Sequence, residues 1–157
     1  MHAKLAWAAV CCWVCACIPP QLPAQQVSDV ARELNVAARF GRMDVAIGYT
    51  APAHQSEFLK RHSNWGREIR VVDVELAQLD VDGAETADVL VDVSWVRMDE
   101  GILRSTRIEQ RWENPGGGWK LSGEKRVEGD LGLLGEPVVV LRPDRPRDVH
   151  LPVKTIR

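Results

Sequence analysis

In the stretch Ala87-Asp88-Val89-Leu90-Val91-Asp92-Val93-Ser94-Trp95, every odd-numbered residue is apolar, and the even-numbered positions carry mainly polar side chains. Alternation with a period of two is typical of a β-strand that rests one face on a core and turns the other to water. Asp82-Gly83, a dipeptide that favours tight hairpin turns, precedes the stretch. The sequence therefore predicts an antiparallel sheet with this strand near its centre.

Similar patterns lie on both sides of the central strand. Before it, a strand is predicted from Arg67 onward, and a change of phase near Ala77-Gln78 predicts a β-bulge. After it, Ile102 to Glu113 and Trp119 to Val127 are two further strands, joined by a turn rich in glycine. Together the four strands form a predicted meander. The expected core row of the first strand is Val72, Val74 and Leu76.

Helical periodicity precedes the sheet. A helix is predicted from Ser28, a good N-cap residue, to Gly41, and a short helical turn from Met43 to Tyr49. A third helical stretch runs from about Ala53 to Trp65 and ends at Gly66. We predict an α+β domain over residues 27–128, with N-terminal helices packed on a curved four-stranded antiparallel meander. Residues 129–157 are predicted to be a mostly irregular, proline-rich tail.

The first 26 residues have the organisation of an export signal. A weakly positive start, Met1–Lys4, is followed by an uncharged apolar run from Leu5 to Ala16. The apolar run is shorter than the roughly 20 residues that a membrane-spanning helix needs, and Pro19-Pro20 interrupts the chain soon after it. We therefore predict a cleaved signal peptide over residues 1–16 and an extended tether over residues 17–26.

The four residues Val14-Cys15-Ala16-Cys17 resemble the lipobox of bacterial lipoproteins, in which an aliphatic residue and two small residues precede the lipidated cysteine. The resemblance implies cleavage after Ala16, lipid on Cys17, and a membrane anchor. Ile18 follows the cysteine where an aspartate would favour the inner membrane, so the outer membrane is expected, at its periplasmic or surface face. The alternative is a secreted protein that is cleaved nearby without lipid.

Composition argues against nucleic acid, metal and cofactor as partners. The formal net charge is −2, whereas proteins that bind nucleic acid usually carry a basic excess on one face. Cys12 and Cys15 form a C-x-x-C spacing, but they lie in the apolar leader, and His54 and His62 have no neighbouring ligands at metal-binding spacing. The three glycines at 116–118 lie in a predicted hairpin turn rather than a phosphate-binding loop.

Helices followed by a bulged meander resemble the nuclear transport factor 2-like superfamily, within the broader cystatin-like architecture. The resemblance rests on Phe40-Gly41-Arg42-Met43-Asp44, on Tyr49 with Pro52, and on Gly117-Gly118-Trp119-Lys120-Leu121. It implies a cone in which the sheet curls around the helices and encloses an apolar pocket. Members of this superfamily use the pocket for catalysis or for binding alone, so the fold by itself does not decide the function.

An enzyme of the SnoaL-like or ketosteroid-isomerase-like kind needs an acid or base in that pocket. The candidates are His62, which shares a helical face with Phe58 and Trp65, and Tyr49. Each is more often a structural residue than a catalytic one. His54 is expected to cap a helix or lie at the surface, and Asp92 is expected to face away from the apolar row of its strand.

Four residues are candidates for the pocket lining. Arg104 and Gln110 share the parity of Ile108 and Trp112 and could orient a polar ligand, although the same face could simply be exposed at its ends. Trp112 and Trp119 are most simply core residues, with stacking on a ligand as the second interpretation.

The sequence thus favours an envelope lipoprotein whose domain binds an envelope protein or a small apolar ligand without catalysis. The alternative is a small-molecule lyase or isomerase that uses His62 or Tyr49. Neither hypothesis requires a cofactor, and both leave the oligomeric state open.

Overall fold

The computed structural model describes residues 21–138. Three α-helices and two 3₁₀ turns precede four β-strands. The helices are α1 (Pro23–Arg39), α2 (Met43–Ala46) and α3 (Gln55–Arg61), and the 3₁₀ turns are Ile47–Tyr49 and Pro52–His54. The strands are β1 (Ile69–Asp82), β2 (Thr86–Arg97), β3 (Leu103–Glu113) and β4 (Lys120–Gly129). The α+β class and the order of the elements are those that the sequence predicts.

Helix α1 packs on the sheet through one stripe. Its buried residues are Val27, Ala31, Leu34, Asn35, Ala37 and Ala38, at the spacing of a single helical face. The prediction of Ser28 as the N-cap is wrong, because α1 begins earlier, at Pro23, with Leu22 in the capping position. Proline suits a first helical turn, where its missing N–H has no intrahelical partner. The first turn of α1 therefore lies within residues 17–26, which were predicted to be an extended tether.

The second and third helical segments are short. Residues Met43–Tyr49 are helical as predicted, the last three in 3₁₀ geometry. Helix α3 ends at Arg61 rather than near Trp65, with His62 at its C-cap position. The backbone then turns through Gly66, which has a φ of 77°.

The sheet is an antiparallel meander in the order β1-β2-β3-β4. The register between β1 and β2 shifts twice, between Leu76 and Gln78, as the sequence predicts, and between Val71 and Asp73. The second shift places Val71 in the core and leaves Val72 exposed, so the predicted core row that began at Val72 is wrong at that position. Each bulge adds one residue and increases the local twist, which curves β1 around the helices.

A further register shift changes the inner face of β4. Arg111 pairs with Gly123 and Trp112 pairs with Leu121, so Ser122 is the extra residue. Leu121 and Ser122 are consequently both buried. Beyond this bulge, Glu124 lies opposite Gln110 of β3.

The core lies between α1 and the inner face of the sheet, with Trp95, Ile108 and Trp112 fully buried. It also includes Leu133 and Leu134 from the segment after β4, which lies within the predicted irregular tail. The indole Nε1 of Trp65 donates a hydrogen bond of 2.9 Å to the carbonyl oxygen of Leu133. Irregular backbone after residue 129 therefore completes the core.

The outer face of the sheet is charged. Cross-strand ion pairs join Arg107 to Asp92 at 2.6 Å, Arg111 to Asp88 at 2.5 Å, and Lys125 to Glu109 at 3.1 Å. This face is therefore suited to contact with water. None of the helices between residues 21 and 138 is long and apolar enough to cross a membrane.

Candidate functional site

His62 lies buried at the end of α3. Its Nδ1 is 2.9 Å from the carbonyl oxygen of Phe58, and because a carbonyl only accepts, Nδ1 carries the proton. The imidazole stacks on the Phe58 ring at a centroid distance of 4.1 Å and meets the Trp65 ring edge-on at 4.4 Å. Two aromatic rings and a backbone acceptor thus fix the orientation of the imidazole.

Glu124 of β4 is the polar neighbour of His62. Its Oε1 lies 3.3 Å from His62 Nδ1, and its side chain is only 4% exposed. The bulge at Ser122 turns Glu124 toward the interior, where it lies beside Gln110 in the sheet register. An imidazole and a carboxyl group are therefore in contact inside the domain.

Burial moves the pKa values of these two groups in opposite directions. Removal from water lowers the pKa of His62 to about 4, and the nearby positive charge of Arg61 also lowers it. Burial raises the pKa of Glu124 to about 8, although the charge of Arg61 acts in the opposite direction. Desolvation outweighs the mutual attraction that an ion pair would have here. Near pH 7 the contact therefore joins a neutral imidazole and a protonated carboxyl group.

Both carboxyl oxygens of Glu124 are buried, and a hydrogen bond from the Gln110 side chain lowers the Glu124 pKa against the larger effect of burial. Glu124 also lines a small cavity of about 10 Å³, close to the volume needed for one water molecule. The other lining residues are Thr50, His54, Glu57, Phe58, Arg61, Leu121 and Gly123. The cavity thus ends at a buried carboxyl group.

A second buried polar pair lies beside the first. The amides of Asn35 in α1 and Gln110 in β3 exchange two hydrogen bonds, of 2.9 and 3.0 Å. Asn35 also donates to the carbonyl oxygen of Ala31 at 2.8 Å. These contacts join helix and sheet through their buried amides, and the Gln110 side chain also hydrogen-bonds to Glu124. Gln110, a predicted pocket residue, is thus fully buried and bonded to α1.

Tyr49 and His54 lie apart from the His62–Glu124 contact. The Tyr49 hydroxyl donates to Glu33 of α1, and this hydrogen bond raises the Tyr49 pKa. His54 lies half exposed at the rim of the small cavity, 4.0 Å from Glu57. Neither His62 nor Tyr49 lines this small cavity or the larger cleft at the end of β2. Asp92 faces outward, paired with Arg107.

The other candidate pocket residues occupy different environments. Arg104 donates to Glu100 at 2.5 Å, and its guanidinium lies 5.6 Å from the centroid of the Trp95 ring. Trp112 and Trp119 are buried in the core, and neither indole N–H has a hydrogen-bond partner in the part of the chain described. The structure brings Gln110 close to Glu124 but does not bring the four candidates together around one cavity.

A larger cleft, of about 140 Å³, lies beside the C-terminal end of β2. Its polar residues include Asn64, Glu68, Arg97 and Glu136, and Trp95 also lines it. Glu136 accepts backbone hydrogen bonds from Gly132 and Leu134 at 3.1 and 3.0 Å. Over residues 21–138, no group of three His, Cys, Asp or Glu side chains is placed to bind a metal ion.

Glu124 is the site residue that sequence reasoning missed. In a regular strand, Glu124 would face away from Leu121, as three residues separate the two. The extra residue Ser122 reverses that alternation. The one sequence signal is Gly123, because glycine inside a strand often marks a bulge.

Comparison with known proteins supports the fold. No protein-family model matches the chain, and no curated protein matches it. Similar solved structures include a SEC-C motif containing protein from Rhodopseudomonas palustris, with 18% identity and a TM-score of 0.56 over 67% of this chain and 81% of that one. A ketosteroid isomerase-like protein from Erwinia carotovora atroseptica has 9% identity and a TM-score of 0.56, over 69% of this chain and 99% of that one.

A nuclear transport factor 2-like protein from Cytophaga hutchinsonii is 13% identical, with a TM-score of 0.52 over 68% of this chain and 98% of that one. The α+β fold predicted from the sequence, helices on a curved antiparallel meander of the nuclear transport factor 2-like kind, is therefore confirmed. At these identities the likeness extends to the fold alone.

Proposed function

We propose that this chain is an exported lipoprotein of the bacterial envelope whose folded domain is a non-enzymatic binding module. The packing of the interior is the observation that supports a binding module without catalysis. Asn35 and Gln110 bond to each other where α1 meets the sheet, and Trp112 and Ile108 are fully buried beside them. With the interior occupied by its own side chains, the domain offers mainly its surface to a partner.

The N-terminal leader supports the proposal that the chain is an exported lipoprotein. The lipobox-like Val14-Cys15-Ala16-Cys17 ends in a thiol, which as a thiolate can form a thioether with a diacylglyceryl donor. One short acyl chain holds a protein at a membrane only marginally, whereas two or more anchor it stably. Cleavage before Cys17 would leave the lipid a few residues from Pro23, where α1 begins. The domain would therefore be held close to the membrane surface, most consistently that of the outer membrane.

Acylation is tested by expressing the full-length chain in a bacterium with two membranes. We expect the wild type to fractionate with the outer membrane and to show the mass of an acylated chain that begins at Cys17. Cys17→Ser should leave the chain unacylated and out of that fraction. Cys15→Ser is the matched control, because serine is also small and leaves Cys17 in place. A soluble, unacylated wild type cut at another position would refute the anchor.

The binding role is tested in the same strain. Crosslinking in intact cells, followed by recovery of the acylated protein, should capture one envelope protein in stoichiometric amount or one small apolar ligand. Cys17→Ser should lose a membrane-bound partner but retain a soluble ligand. Recovery of the wild type alone under all crosslinking conditions would count against a binding module.

A second candidate function is a small-molecule lyase or isomerase. It is favoured by the contact of His62 and Glu124, two groups whose pKa values burial moves in opposite directions. The solved structure of a ketosteroid isomerase-like protein has the same fold. In this function Glu124, at the end of the small cavity, would exchange the proton, with His62 behind it.

Proton exchange separates the two functions. An enzyme of this kind should catalyse exchange of α-protons for deuterium in small ketones, and Glu124→Gln should abolish that exchange while the outward-facing Asp92→Asn does not. Exchange no faster than in buffer alone, across a panel of ketones, would leave the binding module as the function.

A further inference from the structure

The chain that follows β4 reaches the wall of the larger cleft at Val138, the last described residue. Glu136 holds this part of the chain, because its side chain accepts the backbone hydrogen bonds of Gly132 and Leu134. Gly132 has a φ of 108°, and a methyl group there would lie 2.8 Å from a methyl carbon of Val138 and 3.6 Å from the Trp95 ring. The absence of a side chain at Gly132 therefore lets Val138 pack near Trp95, and residue 139 starts from the wall of the cleft.

The apolar part of the cleft has room for side chains. Its apolar residues are Ile69, Trp95 and Val138. Its volume of about 140 Å³ is close to the roughly 150 Å³ of an engineered cavity that binds benzene. One or two aliphatic side chains would therefore fit beside these residues.

The rim of the cleft carries an excess of negative charge around Arg97. Its guanidinium contacts Asp99 at 3.2 Å and Glu100 at 3.4 Å. The Arg97 pKa is raised chiefly by the hydrogen bond to Asp99, and the charges of Glu100 and Glu68 add to the rise. One positive charge is thus surrounded by three negative charges. Glu68 lines the cleft and is exposed, so it favours a further cation there.

The sequence after Val138 has the matching chemistry. Residues 139–142 are Val-Val-Leu-Arg, three aliphatic side chains and then a cation. Residues 139–157 contain five Lys and Arg against two Asp and Glu, whereas residues 21–138 contain 14 against 20. The two parts of the chain therefore have net charges of opposite sign. Covalent attachment also presents this segment to the cleft at an effective concentration on the order of millimolar.

We propose that the larger cleft is the docking site of residues 139–142 of this chain. In the docked arrangement, Val140 fills the apolar part of the cleft beside Trp95, and the Arg142 guanidinium pairs with Glu68. This inference goes beyond the proposed binding function and depends neither on the lipid anchor nor on an envelope partner.

The alternation of side chains selects Val140 rather than its neighbour. In an extended chain, Val138, Val140 and Arg142 lie on one side and Val139 on the other. Four residues advance by at most about 14 Å, so the long side chain of Arg142 can reach back to the cleft that Val138 lines. The proposal therefore predicts different effects for the same substitution at two adjacent valines.

The test compares those valines by NMR in the methyl-labelled full-length protein in detergent micelles. Val140→Asp should shift the methyl resonances of Ile69 and the indole resonance of Trp95, because the segment leaves the cleft. Val139→Asp is the matched control, since it introduces the same charge on the opposite side, and it should leave both resonances at their wild-type positions. Thermal unfolding of each variant verifies that the domain is folded.

A peptide of residues 139–145 then probes the vacated cleft. We expect saturable binding to Val140→Asp and at least about tenfold weaker apparent binding to the wild type, whose own segment competes. Adding Glu68→Gln to Val140→Asp should weaken the peptide about two- to fivefold, the effect of one exposed ion pair. Adding Asp80→Asn instead should not, because Asp80 is an exposed carboxylate of β1 that does not line the cleft.

Two results would overturn the proposal. Equal shifts from the two valine variants, or no shift from either, would show that Val140 does not occupy the cleft. Equal saturable binding of methylguanidinium to the wild type and to Val140→Asp would show an open site for small cations instead. Neither result bears on acylation of Cys17 or on recovery of a partner, so failure here is distinguishable from failure of the anchored binding module.

Discussion

At the scale of single residues, Glu124 is the least expected group in the domain. Its carboxyl lies in the core beside His62 and Gln110, with the charged side chains of Arg61 and Glu57 nearby. His62 could be singled out from the sequence by its spacing to Phe58 and Trp65. Its partner could not, because an extra residue in β4 decides which way Glu124 points.

The pH dependence of stability follows from this contact. Folding raises the pKa of Glu124 from 4.5 to about 8, so its contribution is complete below pH 4.5 and is lost as the pH rises to 8. Folding lowers the pKa of His62 from 6.5 to about 4, so its contribution is complete above pH 6.5 and is lost as the pH falls to 4. The two slopes cancel between pH 4.5 and 6.5.

We therefore expect the free energy of unfolding to be flat between pH 4.5 and 6.5 and to fall by roughly 1 kcal/mol per pH unit from 6.5 to 8. Urea unfolding at a series of pH values measures this slope. Glu124→Gln cannot titrate at this position, so its curve should stay flat above pH 6.5. A wild type whose slope above pH 6.5 equals that of the variant would contradict the buried, protonated state of Glu124.

At the scale of elements, all four strands were predicted, but only one of the bulges discussed above was. The bulge near Ala77 could be predicted, because apolar residues there change parity over several positions. The bulges at Val72 and Ser122 could not, since Val71-Val72 and Leu121-Ser122 offer no clear change of parity. Two helix ends were also missed, because α1 begins at Pro23 without a side-chain cap and α3 ends at Arg61, before Gly66.

Gly129 at the end of β4 provides a test of how closely this element packs. Its φ is 87°, and a methyl group there would contact the Ser105 carbonyl oxygen and lie 2.9 Å from the Thr106 Cα. Gly129→Ala should therefore lower the free energy of unfolding by more than about 2 kcal/mol, measured by urea unfolding. Gly83→Ala is the matched control, because Gly83 also has positive φ, 63°, but open space beside it. Equal losses would show that strain alone, without contact, accounts for the effect.

At the scale of the whole molecule, the core extends beyond the meander. The fold could be predicted from alternation and helical periodicity, which record which faces are apolar. The packing of residues after Gly129 could not, because Leu133 and Leu134 lie among glycines and have no periodic neighbours. Their burial depends on the surface that the helices and sheet present together.

Two leucines of that segment test its contribution. Leu133 is fully buried, so Leu133→Ala should cost about 2–5 kcal/mol of unfolding free energy. Leu131, two residues away, is 42% exposed, and Leu131→Ala should change stability by no more than about 0.5 kcal/mol. Thermal and urea unfolding of both variants would measure this difference in unfolding free energy. Equal stability of the two variants would exclude Leu133 from the core.

The two bulges of β1 also shape one edge of the sheet. β1 is an edge strand, and a regular edge offers a ladder of free N–H and C=O groups to any neighbouring chain. The extra residues Val72 and Ala77 break that ladder twice within fourteen residues, and Arg39 donates a hydrogen bond to the carbonyl oxygen of Val72 itself. A second copy of the chain would thus find few consecutive backbone groups along this edge with which to continue the sheet.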